Sequence, residues 1–278
     1  MAKSTYFSIK NRLSNPINKD KENKQMIIET YNNHKNRYGY RRVYQELKNK
    51  GYNISESKVR RLMKILGLKG YCPKVKYKSF KGEIGLTCKN LLLEKEIDKI
   101  NHKTKYTRNF KTTGLNQKWT TDVSEFRIPD GKIYLSPILD INNGEIISYN
   151  ISTSPNFKQT MDMLNKALNK FDDLSGLIFH SDQGWQYRME EFQQKLKENG
   201  ILQSMSRKGN CYDNSPMENF FAIIKKEMFY GHEYEFKSVE HLINEIHKYI
   251  NYYNNIRIKS NLNGLSPTQY RQHSLYVI

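Results

Sequence analysis

Three acidic residues occupy three motifs of a kind that can hold a divalent cation. Asp122 lies in KWTTDVSEF, Asp182 in LIFHSDQGWQY and Glu218 in SRKGNCYDNSPMENFFAIIKKE. Mg²⁺ prefers carboxylate oxygens as ligands. Two such ions, about 3.5–4 Å apart, can activate an attacking oxygen and stabilise a leaving one. The three acids therefore predict metal-dependent chemistry on phosphodiesters.

Context, rather than spacing, distinguishes these acids. Asp182 and Glu218 are 36 positions apart, and two other pairs share that separation, Asp20/Glu56 and Asp162/Glu198. The second of these pairs falls inside predicted amphipathic helices, where charges are usually solvated. Asp182 and Glu218 fall instead after a predicted strand and at a predicted helix start, which are rigid supports for metal ligands. We therefore assign the chemistry to this pair, together with Asp122.

The elements that position the acids begin at Lys118, where the sequence pattern becomes that of strands. Five strands are predicted, over Trp119–Ile128, Lys132–Ile141, Glu145–Ile151, Gly176–His180 and Ile201–Ser206. Four helices are predicted, over Phe157–Phe171, Arg188–Asn199, Ser215–Tyr230 and Ser238–Asn254. A three-strand meander followed by alternating helices and strands predicts an α/β fold with helices covering a mixed five-stranded sheet.

Residues 21–70 are predicted to be helical and rich in basic side chains. Gly51 is a plausible stop for one helix, and Ser55 is a plausible N-cap for the next. The second helix carries four cations, Lys58, Arg60, Arg61 and Lys64. Two short helices joined by a Gly-containing turn resemble a DNA-binding helix-turn-helix. An ordinary helical hairpin with a solvated basic face is the alternative.

Positive charge is concentrated in the first part of the chain. Residues 1–115 hold 28 Lys and Arg against 9 Asp and Glu, whereas residues 116–278 hold 18 against 19. This division predicts a polyanion-binding module, residues 1–70, a basic linker, residues 71–115, and a catalytic core with a C-terminal helical segment, residues 116–278. The linker includes a possible short helix near Leu91–Ile100, and it either follows DNA phosphates or is solvated without contacts. The alternative explanation of the excess positive charge is a lysine-rich composition that has no role in DNA binding.

Cysteine usage and hydropathy favour a cytosolic protein. The three cysteines, Cys72, Cys88 and Cys211, are odd in number and lack metal-finger spacing, so we expect reduced thiols. No apolar run approaches the roughly 18 residues that span a membrane. The first residues lack the apolar segment of a secretion signal. We therefore expect a cytoplasmic protein with no membrane partner.

The motifs as a group resemble a known family. WTTDVSEF, HSDQGWQY, SRKGNCYDNSPMENFFAIIKKE and the terminal YNNIRIKSNLNGLSPTQY are similar to the second-frame, orfB-type transposases of the IS-three insertion-sequence family. YGYRRVYQEL is similar to the helix-turn-helix that precedes the catalytic core in that family. The resemblance implies an RNase H-like core related to retroviral integrase. It also implies that Asp122, Asp182 and Glu218 are the catalytic carboxylates, and that Lys225 is the family's basic residue.

The same resemblance implies a reaction and partners. Water cleaves double-stranded DNA at insertion-sequence ends, and the freed 3′-hydroxyl then attacks another phosphodiester, with two Mg²⁺ ions, or Mn²⁺ as a substitute. We expect at least a dimer on DNA at the bacterial nucleoid. The family's active enzyme is usually fused to an upstream-frame, orfA-type protein, so the chain that starts at Met1 is expected to be half of that enzyme or a regulatory product. An RNase H-like nuclease that does not join strands and an inactive DNA-binding regulator remain alternatives.

Four further side chains are predicted to contact DNA. Lys225 lies seven residues after Glu218, nearly two helical turns, so both share one helix face. Lys225 therefore binds a phosphate beside the metals or is simply solvated. His180 contacts DNA or braces the site. Arg207 and Lys208 precede the catalytic helix in a polar loop that could hold DNA.

Overall fold

The computed structural model describes residues 20–70, 87–98 and 103–276. The chain divides into two compact units at residues 71 and 72. Residues 71–86, which include Cys72 and the first part of the predicted linker, lie outside the described residues. Within the described residues, no helix has the length and apolar character needed to cross a membrane.

The first unit contains three helices in its described part, α1 (Lys21–Asn33), α2 (Tyr40–Asn49) and α3 (Glu56–Ile65). Gly51 adopts a φ of 82°, the left-handed conformation that ends α2. The Ser55 side chain accepts a hydrogen bond from the Lys58 backbone N–H at 3.3 Å, which confirms the predicted N-cap of α3. The three helices enclose an apolar core of Ile27, Tyr31, Tyr38, Val43, Leu47, Ile54, Val59, Leu62 and Met63.

The second unit is built on a mixed sheet. Its strands are β3 (Lys118–Thr121), β4 (Ser124–Ile128), β5 (Gly131–Asp140), β6 (Ile146–Ser152), β7 (Ile178–Ser181) and β8 (Leu202–Met205). The order is β4-β5-β3-β7-β8, with β6 also paired to β5. β5 pairs antiparallel with β3, β4 and β6, whereas β7 pairs parallel with both β3 and β8. The predicted α/β architecture is confirmed, and the count of six arises because the first predicted strand is divided.

Helices cover both faces of this sheet. They are α4 (Phe157–Leu168), α5 (Glu190–Glu198), α6 (Ser215–Ile224), α7 (Val239–Asn255) and α8 (Pro267–Tyr276). One core contains Met217, Phe220, Ile224, Leu242 and Ile246 from α6 and α7, packed with residues of β4–β6. The other contains residues of α4 and α5, packed around Trp119 and Phe179 of the central strands. A π-helical turn, Lys225–Phe229, continues α6, and neither that turn nor α8 was predicted from the sequence.

The break between β3 and β4 falls at Asp122. Thr121 pairs with Ile138 and Ser124 pairs with Leu135, so the same register places Asp122 opposite Pro137. Proline has no backbone N–H to donate to a ladder. The Thr121 hydroxyl instead donates to the Pro137 carbonyl at 2.8 Å. The ladder is therefore interrupted where the first acid leaves the sheet.

A hairpin precedes the sheet, formed by β1 (Leu93–Asp98) and β2 (Lys103–Arg108). The helix predicted near Leu91–Ile100 is therefore wrong, because antiparallel pairing overrides the helix propensity of Leu, Glu and Lys. The segment before β1 contacts the sheet: the Leu91 N–H donates to the Ser204 hydroxyl at 2.9 Å. Cys88 is a free thiol, and its Sγ donates to the side-chain Oε1 of Gln203 at 3.2 Å. The described part of the predicted linker thus packs on the core.

Candidate active site

Asn214 joins the start of α6, the helix that carries Glu218, to the end of β3, the strand that Asp122 follows. The buried Asn214 side chain donates from Nδ2 to the Thr121 carbonyl at 3.0 Å and also bonds the Thr120 hydroxyl. Glu218 follows in the first turn of α6. These internal bonds of Asn214 hold the start of the helix that carries Glu218 at the end of β3.

Asp182 is held by a tight turn after β7. Its Oδ1 accepts a hydrogen bond from the Gly184 backbone N–H at 2.8 Å. The Gln183 side chain donates to the Ser206 carbonyl at 3.0 Å, which joins this turn to the loop that leads towards α6. Because β7 is parallel to β3 and pairs with it directly, Asp182 and Asp122 follow neighbouring strands at the same end of the sheet.

Asp182 and Glu218 lie close enough to Asp122 for their charges to affect its pKa. Burial raises the pKa of Asp122 well above its usual range, and the negative charges of Asp182 and Glu218 raise it further. Burial also raises the pKa of Asp182, although the Gly184 N–H opposes that shift. Across residues 20–70, 87–98 and 103–276, no three His, Cys, Asp or Glu side chains lie close enough to share one ion. The three acids nevertheless lie at one end of the sheet, where their like charges repel one another.

The donor chemistry fits a hard divalent cation. Asp122, Asp182 and Glu218 supply only carboxylate oxygens, the ligand class that Mg²⁺ prefers. Asp122 uses Oδ1 to accept from the Val123 N–H at 2.7 Å, as Asp182 does with Gly184. These bonds fix the orientation of both carboxylates, which is what a metal ligand requires.

Gly184 provides a test of that orientation. A Cβ added at Gly184 would lie 2.9 Å from Asp182 Oδ1, closer than real side chains allow. Gly184→Ala should therefore displace the Asp182 carboxylate, preserve the fold and weaken the binding of a divalent cation by about 10–100-fold. Isothermal titration calorimetry would measure the affinity. Gly114→Ala is the matched control, because its Cβ would meet only the Gln117 side chain at 3.5 Å. Equal affinities in both variants would contradict the assigned role of the turn.

Two residues beside Asp182 support the site from within the core. His180 is fully buried, with Nδ1 2.8 Å from the Ser204 hydroxyl and Nε2 3.0 Å from the Ser206 hydroxyl. Burial lowers the pKa of His180 to about 4, so the ring is neutral near pH 7. The prediction that His180 contacts DNA is wrong, since both ring nitrogens bond to internal hydroxyls. Tyr187 is also buried, whereas Trp185 is 45% exposed.

Lys225 is the first residue of the π-helical turn that continues α6, and it lies near Asp122. Its Nζ is 5.1 Å from the centroid of the Phe126 ring, on the strand that follows Asp122. Burial lowers the pKa of the Lys225 ammonium, and the Asp122 and Glu125 charges oppose that shift. A half-buried ammonium thus lies within electrostatic reach of the first acid.

Family models match most of the chain. Residues 113–211 match an "Integrase core domain" model, and residues 218–275 match a second model of that description. Residues 18–76 match an "HTH-like domain" model. Asp122 and Asp182 lie in the first match, and Glu218 is the first residue of the second.

Individual relatives agree with those models. The chain is 42% identical to the putative transposase InsK for insertion sequence element IS150 of Escherichia coli strain K12, over 98% of this chain and 90% of that protein. It belongs to the IS-three family of insertion-sequence transposases. The transposase is also 32% identical to that of insertion sequence element IS904 of Lactococcus lactis, over 90% of this chain and 93% of that protein. The HTLV-2 integrase catalytic core domain is 19% identical, covers 58% of this chain and 99% of its own, and gives a TM-score of 0.47.

The basic residues of α3 differ in their surroundings. Asp20 pairs with two of them, lying 3.1 Å from Lys58 Nζ and 2.7 Å from Arg61 Nη2. The Arg60 guanidinium lies over the Tyr40 ring at 5.5 Å, and Lys64 is exposed. DNA contact by these four side chains of the transposase remains a prediction.

The loop before α6 contains a residue that sequence reasoning missed. Asp213 is buried and accepts hydrogen bonds from Arg207 Nε and Nη2, both at 2.9 Å, and from Arg108 Nε at 2.8 Å. Arg207 thus makes an internal ion pair besides any contact with DNA, whereas Lys208 is exposed. A lone acid in the basic segment SRKGNCYDN was the available sequence signal.

Proposed function

We propose that the transposase cleaves DNA at insertion-sequence ends and joins the freed 3′-hydroxyl to target DNA, with Asp122, Asp182 and Glu218 as ligands of two Mg²⁺ ions. The observation that carries the proposal is that Asp122 and Asp182 follow the neighbouring parallel strands β3 and β7, and that the bonds of Asn214 bring the helix with Glu218 to the same end of the sheet. Bound Mg²⁺ ions supply activation of the attacking oxygen and stabilisation of the leaving one. Mn²⁺ is expected to substitute for Mg²⁺.

The chain's own residues prepare the carboxylates for this role. The Val123 and Gly184 backbone N–H groups orient Asp122 and Asp182. Asn214 keeps the Glu218 helix against β3. Because burial disfavours the ionised acids, the folded chain gains by placing cations among them. Bound cations would relieve the charge repulsion that destabilises the metal-free protein, and this relief contributes to the free energy of cation binding.

A joining assay separates the proposal from its alternatives. End DNA labelled at its 5′ terminus would be incubated with the full chain, a supercoiled target plasmid and Mg²⁺ or Mn²⁺. We expect cleaved ends and products covalently joined to the plasmid, both of which disappear when EDTA is added. Cleavage without joined products would favour the nuclease alternative. DNA binding without either product would favour the inactive regulator, or a need for the upstream-frame protein, and adding that protein would distinguish these two.

Lys225 is proposed to hold a DNA phosphate beside the ions. An ammonium attracts phosphate strongly where solvent is partly excluded. Lys225→Ala should reduce the joining rate by about 10–100-fold and leave Mg²⁺ affinity within about twofold. Single-turnover joining and calorimetry would measure the two quantities. Lys226→Ala is the control, because the next residue points about 100° away round the helix. Equal losses in the two variants would indicate general charge attraction instead.

The remaining partners follow from the same proposal. The HTH-like unit, including Lys58, Arg60, Arg61 and Lys64, is expected to bind duplex DNA, and its affinity should fall steeply with salt. The family resemblance implies multimers that act on paired DNA ends, so we expect a homo-oligomer on DNA. An orfA-type protein from an upstream frame is the expected second partner. We assign the reaction to the bacterial cytoplasm, at the nucleoid.

A further inference from the structure

Two tyrosines and two arginines form an interleaved cluster beside the candidate active site. Tyr106 and Arg108 belong to β2, and Arg207 and Tyr212 belong to the loop before α6. The Arg108 guanidinium lies over the Tyr212 ring at 5.5 Å, and the Arg207 guanidinium lies over the Tyr106 ring at 5.8 Å. Each segment thus contributes one ring and one cation. We call these four residues the tyrosine–arginine cluster.

Asp213 fixes the two cations of the cluster. Its side chain has no solvent exposure and bonds both guanidinium groups. The Asn90 side chain adds a further bond at 3.1 Å. Although burial opposes ionisation, the hydrogen bonds from Arg207 and Arg108 lower the pKa of Asp213 to about 2. One carboxylate faces two guanidinium groups, so the cluster retains one positive charge with its geometry set in advance.

The rings of the cluster remain open to a ligand. Tyr106 is 49% exposed and Tyr212 is 68% exposed, even with a guanidinium over each. Flat exposed rings beside fixed positive charge suit a nucleic-acid strand with unpaired bases, which can stack on aromatic side chains while their phosphates meet cations. A duplex offers the phosphates only, because its internal base faces are already stacked. Lysine side chains without aromatic rings would be enough to bind the phosphates of a duplex.

The cluster is linked to the acids through residues that follow Asp213 in the chain. Asn214 follows Asp213 in the chain and bonds the Thr121 carbonyl, one residue before Asp122. Glu218 lies five residues after Asp213. A strand with a phosphodiester at the acids would therefore extend over neighbouring surface that includes this cluster.

We propose that the tyrosine–arginine cluster binds an unpaired segment of a DNA strand next to the phosphodiester that reacts, with bases stacked on Tyr106 and Tyr212. The inference rests on the proposed function, because it takes DNA as the substrate. It goes further by requiring the strand ends to be locally unpaired when they occupy the site. The cluster would hold the reacting strand after it separates from its complement.

The test compares two probes on the full chain without divalent metal. The probes are a 20-nucleotide single strand of mixed sequence and the blunt duplex of the same sequence, and fluorescence anisotropy gives each Kd at 0.15 M salt. Tyr106→Ala and Tyr212→Ala should each weaken single-strand binding by about 5- to 100-fold and duplex binding by less than about twofold. Tyr212→Phe should retain single-strand binding, since the ring is kept.

Tyr234→Ala is the matched control, because Tyr234 is 90% exposed but lies in the loop between the π-helical turn and α7. It should leave both affinities unchanged. Thermal melts verify that every variant is folded. Equal weakening of single-strand and duplex binding, or no weakening of either, would overturn the proposal. Since no catalysis is measured, failure of joining in the separate assay would refute the proposed function without affecting this result.

Discussion

Replacing Asp122, Asp182 or Glu218 by its amide should reduce strand cleavage and joining by about a thousandfold or more, because each amide removes a charged ligand of the ions. The fold should survive each change. Joining on labelled end DNA measures activity, and circular dichroism measures unfolding. Asp162→Asn and Glu198→Gln are matched controls with the same sequence separation, on α4 and α5. Loss of joining in Asp162→Asn, with retention in Asp182→Asn, would show that the active site lies elsewhere.

The same variants should change the pH dependence of stability. Burial raises the pKa of Asp122 and Asp182 in the folded state. A raised pKa means that the folded state binds protons more tightly than the unfolded state, so stability falls as the pH rises above about 4. In EDTA at pH 7, Asp122→Asn should therefore melt at a higher temperature than the wild type, and the difference should close at pH 4. Added Mg²⁺ should raise the melting temperature of the wild type more than that of the variant.

Arg257→Ala should lower the free energy of unfolding by about 3–5 kcal/mol, because it leaves a buried carboxylate without its cation. Arg257 is 2% exposed, and its guanidinium bonds Glu227 at distances of 2.7–3.1 Å. Tyr249 donates a further bond to that carboxylate at 2.9 Å. Urea titration would measure the loss. Destabilisation below about 1 kcal/mol would contradict the role assigned to this pair.

An exposed ion pair supplies the control for this prediction. Lys248 and Glu245 lie 2.7 Å apart, but the lysine side chain is 71% exposed. Lys248→Ala should change stability by less than about 1 kcal/mol, because solvent screens the pair. The double variant Arg257→Met, Glu227→Leu should recover much of the stability lost in Arg257→Ala, since no charge is then buried alone.

Much of the sheet could be predicted from sequence because local signals agree there. The strand pattern after Lys118 predicted the meander, and Gly144, between β5 and β6, has the positive φ that Asn-Gly turns favour. The Ser55 cap and Gly51 stop were similarly local. The positions of Asp182 and Glu218 at element ends followed from those boundaries, whereas Asp122 was predicted inside a strand that the structure divides at this residue.

The parts that sequence could not give depend on long-range contacts. The residues of β1 are good helix formers, and only pairing with β2 makes them a strand. The motif HSDQGWQY alone does not show that both ring nitrogens of His180 form hydrogen bonds with the hydroxyls of Ser204 and Ser206. Asp213 is one acid in a polar loop, and one of its two arginine partners, Arg108 of β2, lies 105 positions before it in the sequence.

The segment that precedes the hairpin has a consequence for how the core behaves as an isolated protein. β8 is the last strand of the sheet, and residues 87–92 lie beside it through the contacts of Cys88 and Leu91. Unprotected edge strands recruit strands from other molecules. A fragment that starts at residue 116, where the charge composition changes, lacks residues 87–92. The edge of β8 would then be exposed in that fragment, next to Leu202, which is already half exposed. Such a fragment should aggregate, whereas one begun at residue 72 keeps its own edge cover.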